Sequence, residues 1–183
     1  AGRNHLQRLE RGAVHDRGIE LVLAVGVQGG AVAGVEVRAV LHHDDGSLDG
    51  VDGATAARAS YRLADGLGQV QVLVFYPADE TPVCTAQLIA YTEGIGQLDQ
   101  LDARVLAISP QSVDSHVAFA AHHGGFAFPL LSDPDRAVGA AYGILGLLDL
   151  YRRSIVVVDP SGVVRWVHRA IGIGATFVPV EAI

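Results

Sequence analysis

The chain has 183 residues, of which 50% are hydrophobic and 18% are charged. This composition suits one domain with a sizeable core and does not suit a disordered polyampholyte. The formal net charge of -7 gives no electrostatic reason to expect nucleic-acid binding. A single cysteine excludes an intrachain disulfide scaffold within these residues and favours a reducing cytoplasm. No apolar run approaches the ~20 residues that cross a membrane.

Residues 1–60 differ in composition from the rest and predict an N-terminal arm whose structure the pattern does not define. They are rich in Gly, Ala, Val and Asp, and clusters of turn-forming residues separate two apolar stretches. We expect short strands at 20–27 and at 34–41. In the second stretch apolar and charged side chains alternate, as they do in a half-buried strand.

The arm also contains a weak resemblance to an export signal. Arginines precede the apolar run 21–27, and the small residues 31–33 have the form of a signal-peptidase site. However, Glu10, Asp16 and Glu20 interrupt the basic region, and the apolar run is short for a signal. A cytoplasmic location is therefore the expectation.

From residue 61 onward, strand patterns alternate with helix patterns. The apolar, β-branched run 70–76 is typical of a buried central strand, and Pro77 ends it. Thr81 and Pro82 then predict the N-cap and first residue of a helix towards residue 98. Such alternation predicts an α/β sandwich. The further expected elements are strands at 104–108 and 127–131, helices from Ser112 or Asp114 to His122 and over 135–142, and a hairpin of 153–158 with 163–168.

Cys84 is the strongest candidate for a reactive residue in this region. A lone cysteine is more often a small buried hydrophobic residue than a reactive one. Cys84, however, falls in the first turn of the predicted helix, where unpaired backbone N–H groups and the helix dipole stabilise a thiolate. Thr81 precedes the cysteine by three residues, a spacing at which its hydroxyl can donate to the thiolate or to a bound oxygen.

Three stretches in the correct order resemble the peroxiredoxin family. Residues 75–88 read FYPADETPVCTAQL and contain the P-x-x-x-T-x-x-C signature, with flanking residues similar to the bacterioferritin-comigratory-protein and single-cysteine branches. Residues 106–143 include the F-P-L-L-S-D-P turn and the A-Y-G helix, and residues 151–162 resemble the strand that carries the family arginine. The resemblance spans roughly residues 63–181.

The resemblance implies a thioredoxin-like α/β fold, with a central mixed sheet flanked by helices, and the reduction of hydrogen peroxide or organic hydroperoxides. It makes Cys84 the peroxidatic thiol and Thr81 its hydrogen-bond partner, while Pro77 shields the thiolate from water. Arg153 matches the family arginine, whose guanidinium would stabilise the thiolate and the leaving oxyanion. Arg152 is the competing candidate, because neighbouring residues on a strand face opposite sides.

The resemblance also implies how the oxidised cysteine would be recycled. Related two-cysteine enzymes carry a resolving cysteine five residues later, where this chain has Ile89. We therefore expect a one-cysteine cycle that uses thioredoxin, glutaredoxin or a small thiol as the external reductant. No metal, haem or flavin is implied, and a homodimer is a family expectation. The alternative is a thioredoxin-like redox sensor or binding module without efficient turnover.

Three other patterns carry less weight. Residues 42–45 read HHDD and could suggest a metal site, but adjacent residues diverge and we interpret them as a solvated turn. His122 and His123 are interpreted as positive charge at a helix C-terminus. Ser109 and Ser115 have histidines nearby in sequence, but nothing in the spacing arranges a catalytic triad.

The chain departs from the family at both ends. The usual opening strand and A-P-D-F motif have no clear counterpart before residue 61. We therefore divide the chain into an N-terminal arm, residues 1–60, and a thioredoxin-like domain, residues 61–183. The C-terminal helix of the family is expected to be cut short at Ile183.

Overall fold

The computed structural model describes residues 47–170 and 177–183, together with the backbone of residues 19–28 and 31–41. Two antiparallel strands in the N-terminal part, β1 (Ile19–Gln28) and β2 (Ala31–Leu41), pair with each other in a separate sheet. These are the two strands expected there. The HHDD turn at 42–45 lies outside the described residues.

The centre of the fold is a seven-stranded mixed sheet with the order β4-β3-β7-β6-β5-β8-β9. The three central strands β5, β6 and β7 run parallel, whereas β8 is antiparallel to β5 and β3 is antiparallel to β7. β5, which the sequence predicts as a central strand, therefore lies inside the sheet, and the C-terminal hairpin adds β8 and β9 at one edge. The strands are β3 (Ser47–Val51), β4 (Arg58–Arg62), β5 (Val70–Phe75), β6 (Ala103–Ser109), β7 (Leu130–Ser132), β8 (Ser154–Val158) and β9 (Val164–Arg169).

The sheet extends across the domain boundary expected from the sequence. The boundary between residues 60 and 61 falls inside β4, and β3 lies entirely before it. Both strands belong to the sheet, because β3 pairs with β4 on one side and with β7 on the other. The sheet therefore includes residues from 47 onward, in a region whose short strands carry little sequence signal.

The helices cover both faces of the sheet. Val72 and Val74 of β5 pack with α1 and α3 in one core cluster, and Leu73 and Phe75 pack with α4 in the other. Successive strand residues point to opposite faces, so a strand buried on both faces reads as a continuous apolar run. None of the described helices is long and apolar enough to cross a bilayer. The helices are α1 (Pro82–Glu93), α2 (Ile95–Asp99), α3 (Val113–His122) and α4 (Ala137–Ala141).

The boundaries of three elements differ from the sequence prediction. The helix expected to reach residue 98 is divided at Gly94, where an added Cβ would meet a methyl group of Val180 at 3.1 Å. The strand β7 starts after Pro129, which has no N–H for a ladder hydrogen bond. The helix α4 starts only after Arg136, whose φ of 60° is not helical. Period counting detects none of these features.

Candidate active site

Cys84 occupies the third position of α1, and its side chain is fully buried. Tyr76 and Pro77 follow the end of β5, and a loop leads from Pro77 to Thr81, which has extended backbone angles, as an N-cap residue should. Pro82 then takes the first helical position, where its missing N–H costs no hydrogen bond. The sequence 77–84 therefore places the thiol at the N-terminus of a helix and at the end of a central strand.

Arg153 reaches the sulfur from the neighbouring strand. The antiparallel register pairs Phe75 at the end of β5 with Ser154 at the start of β8, so Arg153 lies beside the start of the active-site loop. Its Nη2 donates a hydrogen bond to Cys84 Sγ at 3.2 Å. Arg152 points elsewhere: its side chain is exposed, and its Nε donates to the carbonyl of Ile144 at 3.4 Å.

Arg153 places its positive charge against the sulfur of Cys84. A guanidinium in contact with sulfur favours the negative charge of a thiolate, and partial burial weakens the screening by water. Gln87 and Tyr91 follow Cys84 at helical spacing on the same buried face of α1. Burial raises the pKa of Tyr91 to about 12, and the positive charge of Arg153 opposes this shift. The surroundings of the sulfur are thus apolar apart from a few directed polar groups.

Thr81 does not make the hydrogen bond expected from the sequence. Among the described residues its hydroxyl donates to the carbonyl of Ala78 at 3.2 Å and makes no hydrogen bond to Cys84. The loop turns sharply here because Glu80 has a φ of 56°, which brings the carbonyl of Ala78 back towards Thr81. Pro77 is half-buried at the start of this loop. Thr81 and Pro77 are therefore neighbours of the thiol along the chain, and of the site residues expected from the sequence only Arg153 makes a hydrogen bond to the sulfur.

A buried polar network anchors the loop from inside. Asp79 accepts hydrogen bonds from Tyr76 Oη at 2.8 Å and from Ser115 Oγ at 2.6 Å, and its Oδ2 lies 2.9 Å from His116 Nδ1. The other ring nitrogen of His116 lies 3.2 Å from the carbonyl of Leu131. Burial, followed by the charge of Asp79, raises the pKa of Tyr76 well above its usual range.

The network contains a serine, a histidine and an aspartate but is not a catalytic triad. Ser115 donates to Asp79 rather than to His116, and the imidazole points away from the hydroxyl towards Leu131. Ser109, the other serine considered from the sequence, accepts a hydrogen bond from the backbone N–H of Gln111. The geometry supports a positioning role for these groups and provides no serine nucleophile.

A second set of contacts joins the same loop to the end of α3. Glu80 Oε1 lies 3.0 Å from His122 Nδ1, and Oε2 lies 3.1 Å from His123 Nε2. Among the described residues, these three side chains form a group whose metal-ligating atoms all lie within 4.8 Å of one another. His122 ends α3, as expected from the sequence, but its partner Glu80 was not expected.

Comparison with known proteins places this site in a family. Residues 47–167, more than half of the chain, match the AhpC/TSA family. The chain belongs to the AhpC/TSA family. The match begins at β3, before the boundary expected from the sequence, and ends within β9. The family match therefore includes the thiol, the loop and Arg153.

Curated relatives in the AhpC/TSA family have similar sequences over part of their length. A "Putative peroxiredoxin" of Entamoeba histolytica is 36% identical over 108 residues, which are 55% of this chain and 46% of the relative. "Peroxiredoxin Bcp" of Xanthomonas campestris is 35% identical over 94 residues, 51% of this chain and 58% of the relative. The matches thus span about half the length of these relatives. They confirm the predicted resemblance to peroxiredoxins.

Solved structures of the AhpC/TSA family share the fold. The bacterioferritin comigratory protein of Xanthomonas campestris has a TM-score of 0.59 at 28% identity and covers 69% of this chain and 82% of its own. Enterococcus faecalis AhpC has a TM-score of 0.64 at 26% identity, and the match covers 73% of this chain and 83% of the AhpC chain. These likenesses confirm the predicted thioredoxin-like α/β fold with a central mixed sheet.

Sequence reasoning singled out Cys84 and Arg153 but missed the two groups that hold the loop. Asp79 and Glu80 lie inside the P-x-x-x-T-x-x-C signature, at positions where the signature allows any residue. The available signal was two adjacent carboxylates in a tight loop, followed by two histidines in α3 and a third at its C-cap. That signal does not identify which carboxylate pairs with which histidine.

Proposed function

We propose that this AhpC/TSA family member is a thiol-dependent peroxidase that reduces hydrogen peroxide and organic hydroperoxides with Cys84. The observation that carries the proposal is the hydrogen bond of 3.2 Å from Arg153 to the sulfur of Cys84. A thiolate is the nucleophilic form of cysteine, and both the guanidinium and the helix N-terminus favour it. A related solved structure is described by its alkyl peroxide reduction activity, in agreement with this assignment.

The first half of the reaction forms one bond and breaks another. The thiolate of Cys84 attacks one peroxide oxygen, an S–O bond forms, and the O–O bond breaks. The leaving oxygen takes a proton and departs as water or an alcohol, while the sulfur is oxidised by two electrons to a sulfenic acid. Arg153 would hold the peroxide and stabilise the charge that develops on the leaving oxygen. Thr81 would offer its hydroxyl to the peroxide, and Pro77 would limit the access of water.

The second half requires a thiol from outside the chain. The sequence contains one cysteine, and Ile89, five residues later, has no thiol that could resolve the sulfenic acid. An external thiol would condense with the sulfenic acid, release water and leave a mixed disulfide. A second external thiol would then attack this disulfide and regenerate Cys84. Thioredoxin, glutaredoxin or a small thiol is the proposed reductant, in the cytoplasm, with a homodimer as the proposed assembly.

The test is the second-order rate constant for oxidation of Cys84 by hydrogen peroxide at neutral pH, measured by competition with a haem peroxidase. We expect a rate orders of magnitude above that of free cysteine, and none in Cys84→Ser. Arg153→Gln should lower the rate at least about 100-fold, the typical cost of one lost donor to a developing oxyanion. Arg152→Gln is the matched control, because this neighbouring arginine contacts Ile144 instead of the sulfur. It should change the rate less than about threefold, because Arg152 donates nothing to the reacting atoms.

Two outcomes would overturn the proposal. A wild-type rate equal to that of free cysteine would leave the redox-sensor alternative, in which the same fold carries a slowly oxidised thiol. Equal rates in the Arg153 and Arg152 variants would remove the guanidinium from the reaction. The reductant is tested separately: mass spectrometry should detect a mixed disulfide on Cys84 after addition of peroxide and a small thiol.

A further inference from the structure

We propose that Glu80, His122 and His123 form a binding site for a divalent transition-metal ion of the zinc type. The three side chains come from two elements that are more than forty residues apart in sequence. Both carboxylate oxygens of Glu80 face an imidazole nitrogen, at 3.0 Å for His122 and 3.1 Å for His123. This site is separate from Cys84 and does not depend on the peroxidase reaction.

The three side chains offer the ligand types that zinc prefers. Imidazole nitrogen and carboxylate oxygen bind zinc, and three protein ligands with one open position for water form a common arrangement. Ligand atoms around a tetrahedral zinc ion are separated by about 3.3 Å, given zinc–ligand bonds of about 2.0–2.1 Å. The present ligand atoms lie within 4.8 Å of one another. Small rotations of the exposed side chains of Glu80 and His122 would therefore close the site around an ion.

The end of α3 favours a cation at this point. His122 is the last residue of α3, and His123 follows as the C-cap. The final carbonyl groups of a helix carry partial negative charge and attract positive ions. The ring of His123 is also held in place, because it packs edge-on against Phe119 with 5.0 Å between ring centroids. One of the two imidazoles is thus oriented before any ion binds.

The backbone of the loop presents the third ligand. Glu80 has a φ of 56°, a left-handed conformation that is uncommon for residues other than glycine. This conformation directs its carboxylate to the histidines while the preceding Asp79 contacts the interior. Glu80 also precedes Cys84 by four residues. A bound ion would therefore connect the active-site loop to the end of α3.

The test is isothermal titration of the full chain with zinc chloride, in a Cys84→Ser background so that the thiol is not a ligand. Compared with the Cys84→Ser parent, the Glu80→Gln variant should bind one zinc ion fewer or bind zinc more than about tenfold more weakly. The same is expected of the double variant that combines His122→Asn with His123→Asn. Glu93→Gln and His168→Asn, which alter an exposed glutamate and an exposed histidine elsewhere, are the matched controls. They should bind zinc like the parent, and any zinc held by histidines outside the described residues should be unchanged in all variants.

A second measurement keeps the proposal open to refutation if a variant folds poorly. Zinc should raise the thermal unfolding midpoint of the Cys84→Ser parent, because a ligand of the native state stabilises it. The rise should be smaller in Glu80→Gln and unchanged in His168→Asn. If the variants without Glu80 or without both histidines bind zinc with the parent's stoichiometry and affinity, the site does not exist.

Discussion

Asp79 and Glu80 are neighbours in one loop, and both contact histidines of α3, but one does so in the interior and the other in water. The side chain of Asp79 is 3% exposed and lies against His116, which is fully buried. The side chain of Glu80 is 48% exposed and lies against His122, which is 69% exposed. Two adjacent carboxylates therefore pair with histidines in opposite environments, one in the interior and one in contact with solvent.

The environment determines what each contact contributes. A buried carboxylate and imidazole have no water to replace a missing partner, so removal of one leaves an unsatisfied group at a high cost. An exposed pair competes with water and salt and contributes little to stability. We therefore expect Asp79 to hold the loop in place and Glu80 to remain available for a ligand.

The largest effect is expected for Asp79→Asn. One carboxylate oxygen becomes an NH2 group that cannot accept, so either the hydrogen bond from Tyr76 to Oδ1 or those that Ser115 and His116 direct at Oδ2 are lost. We expect the free energy of unfolding to fall by about 3 kcal/mol, as for other broken buried pairs. Urea denaturation monitored by circular dichroism measures the change. Asp114→Asn is the control: its ion pair with Arg58 is exposed to water, so the midpoint should fall only slightly. A loss below about 1 kcal/mol for Asp79→Asn would show that the interior contact is no stronger than a surface one.

An intermediate effect is expected for Tyr76→Phe, which removes one of the hydrogen bonds to Asp79 and leaves the other groups in place. The expected loss is about 1 kcal/mol at neutral pH. Burial raises the pKa of the Tyr76 phenol in the folded state, so its contribution is fully present below about pH 10 and is lost as the pH rises further. The variant should therefore lose less stability than the wild type between neutral and strongly alkaline pH.

The control for this comparison is Tyr61→Phe. Tyr61 is a half-buried tyrosine on β4 whose hydroxyl makes no hydrogen bond to another described residue. Its removal should leave the urea midpoint at neutral pH nearly unchanged. If Tyr61→Phe and Tyr76→Phe are equally destabilising, the loss reflects a missing hydroxyl in general and not the anchor at Asp79.

The smallest effect is expected for Glu80→Gln. In the absence of added metal, the urea midpoint should match that of the wild type, because both partners of Glu80 are reached by water. A loss of stability comparable to that of Asp79→Asn would remove the distinction between the two faces of the loop. With zinc present, the Cys84→Ser parent should gain more stability than its Glu80→Gln variant, which separates a metal ligand from a simple surface charge.

Local features of the fold were predictable because they depend on residues close in sequence. Thr81 and Pro82 mark the start of α1, and the thiol follows in its first turn. Strand β5 was recognised from its apolar run. The division of the helix at Gly94, beside which the distant Val180 packs, was not predicted. The sequence also did not predict that β3 and β4 belong to the main sheet. β3 joins the sheet by pairing with β7, and β4 joins it by pairing with β3, and composition does not reveal either pairing.

By itself, the sequence determined a thiol at the start of a helix after a buried strand, with a proline and a threonine at fixed spacing before it. These are local relations, encoded within a few residues of Cys84. Only the tertiary structure decided that Arg153 and not Arg152 contacts the sulfur, across 69 positions of sequence. It also decided that Asp79 points inward and Glu80 outward. Such contacts depend on strand order and register, because a shift of one residue in the pairing of β5 with β8 would turn the other arginine towards the thiol.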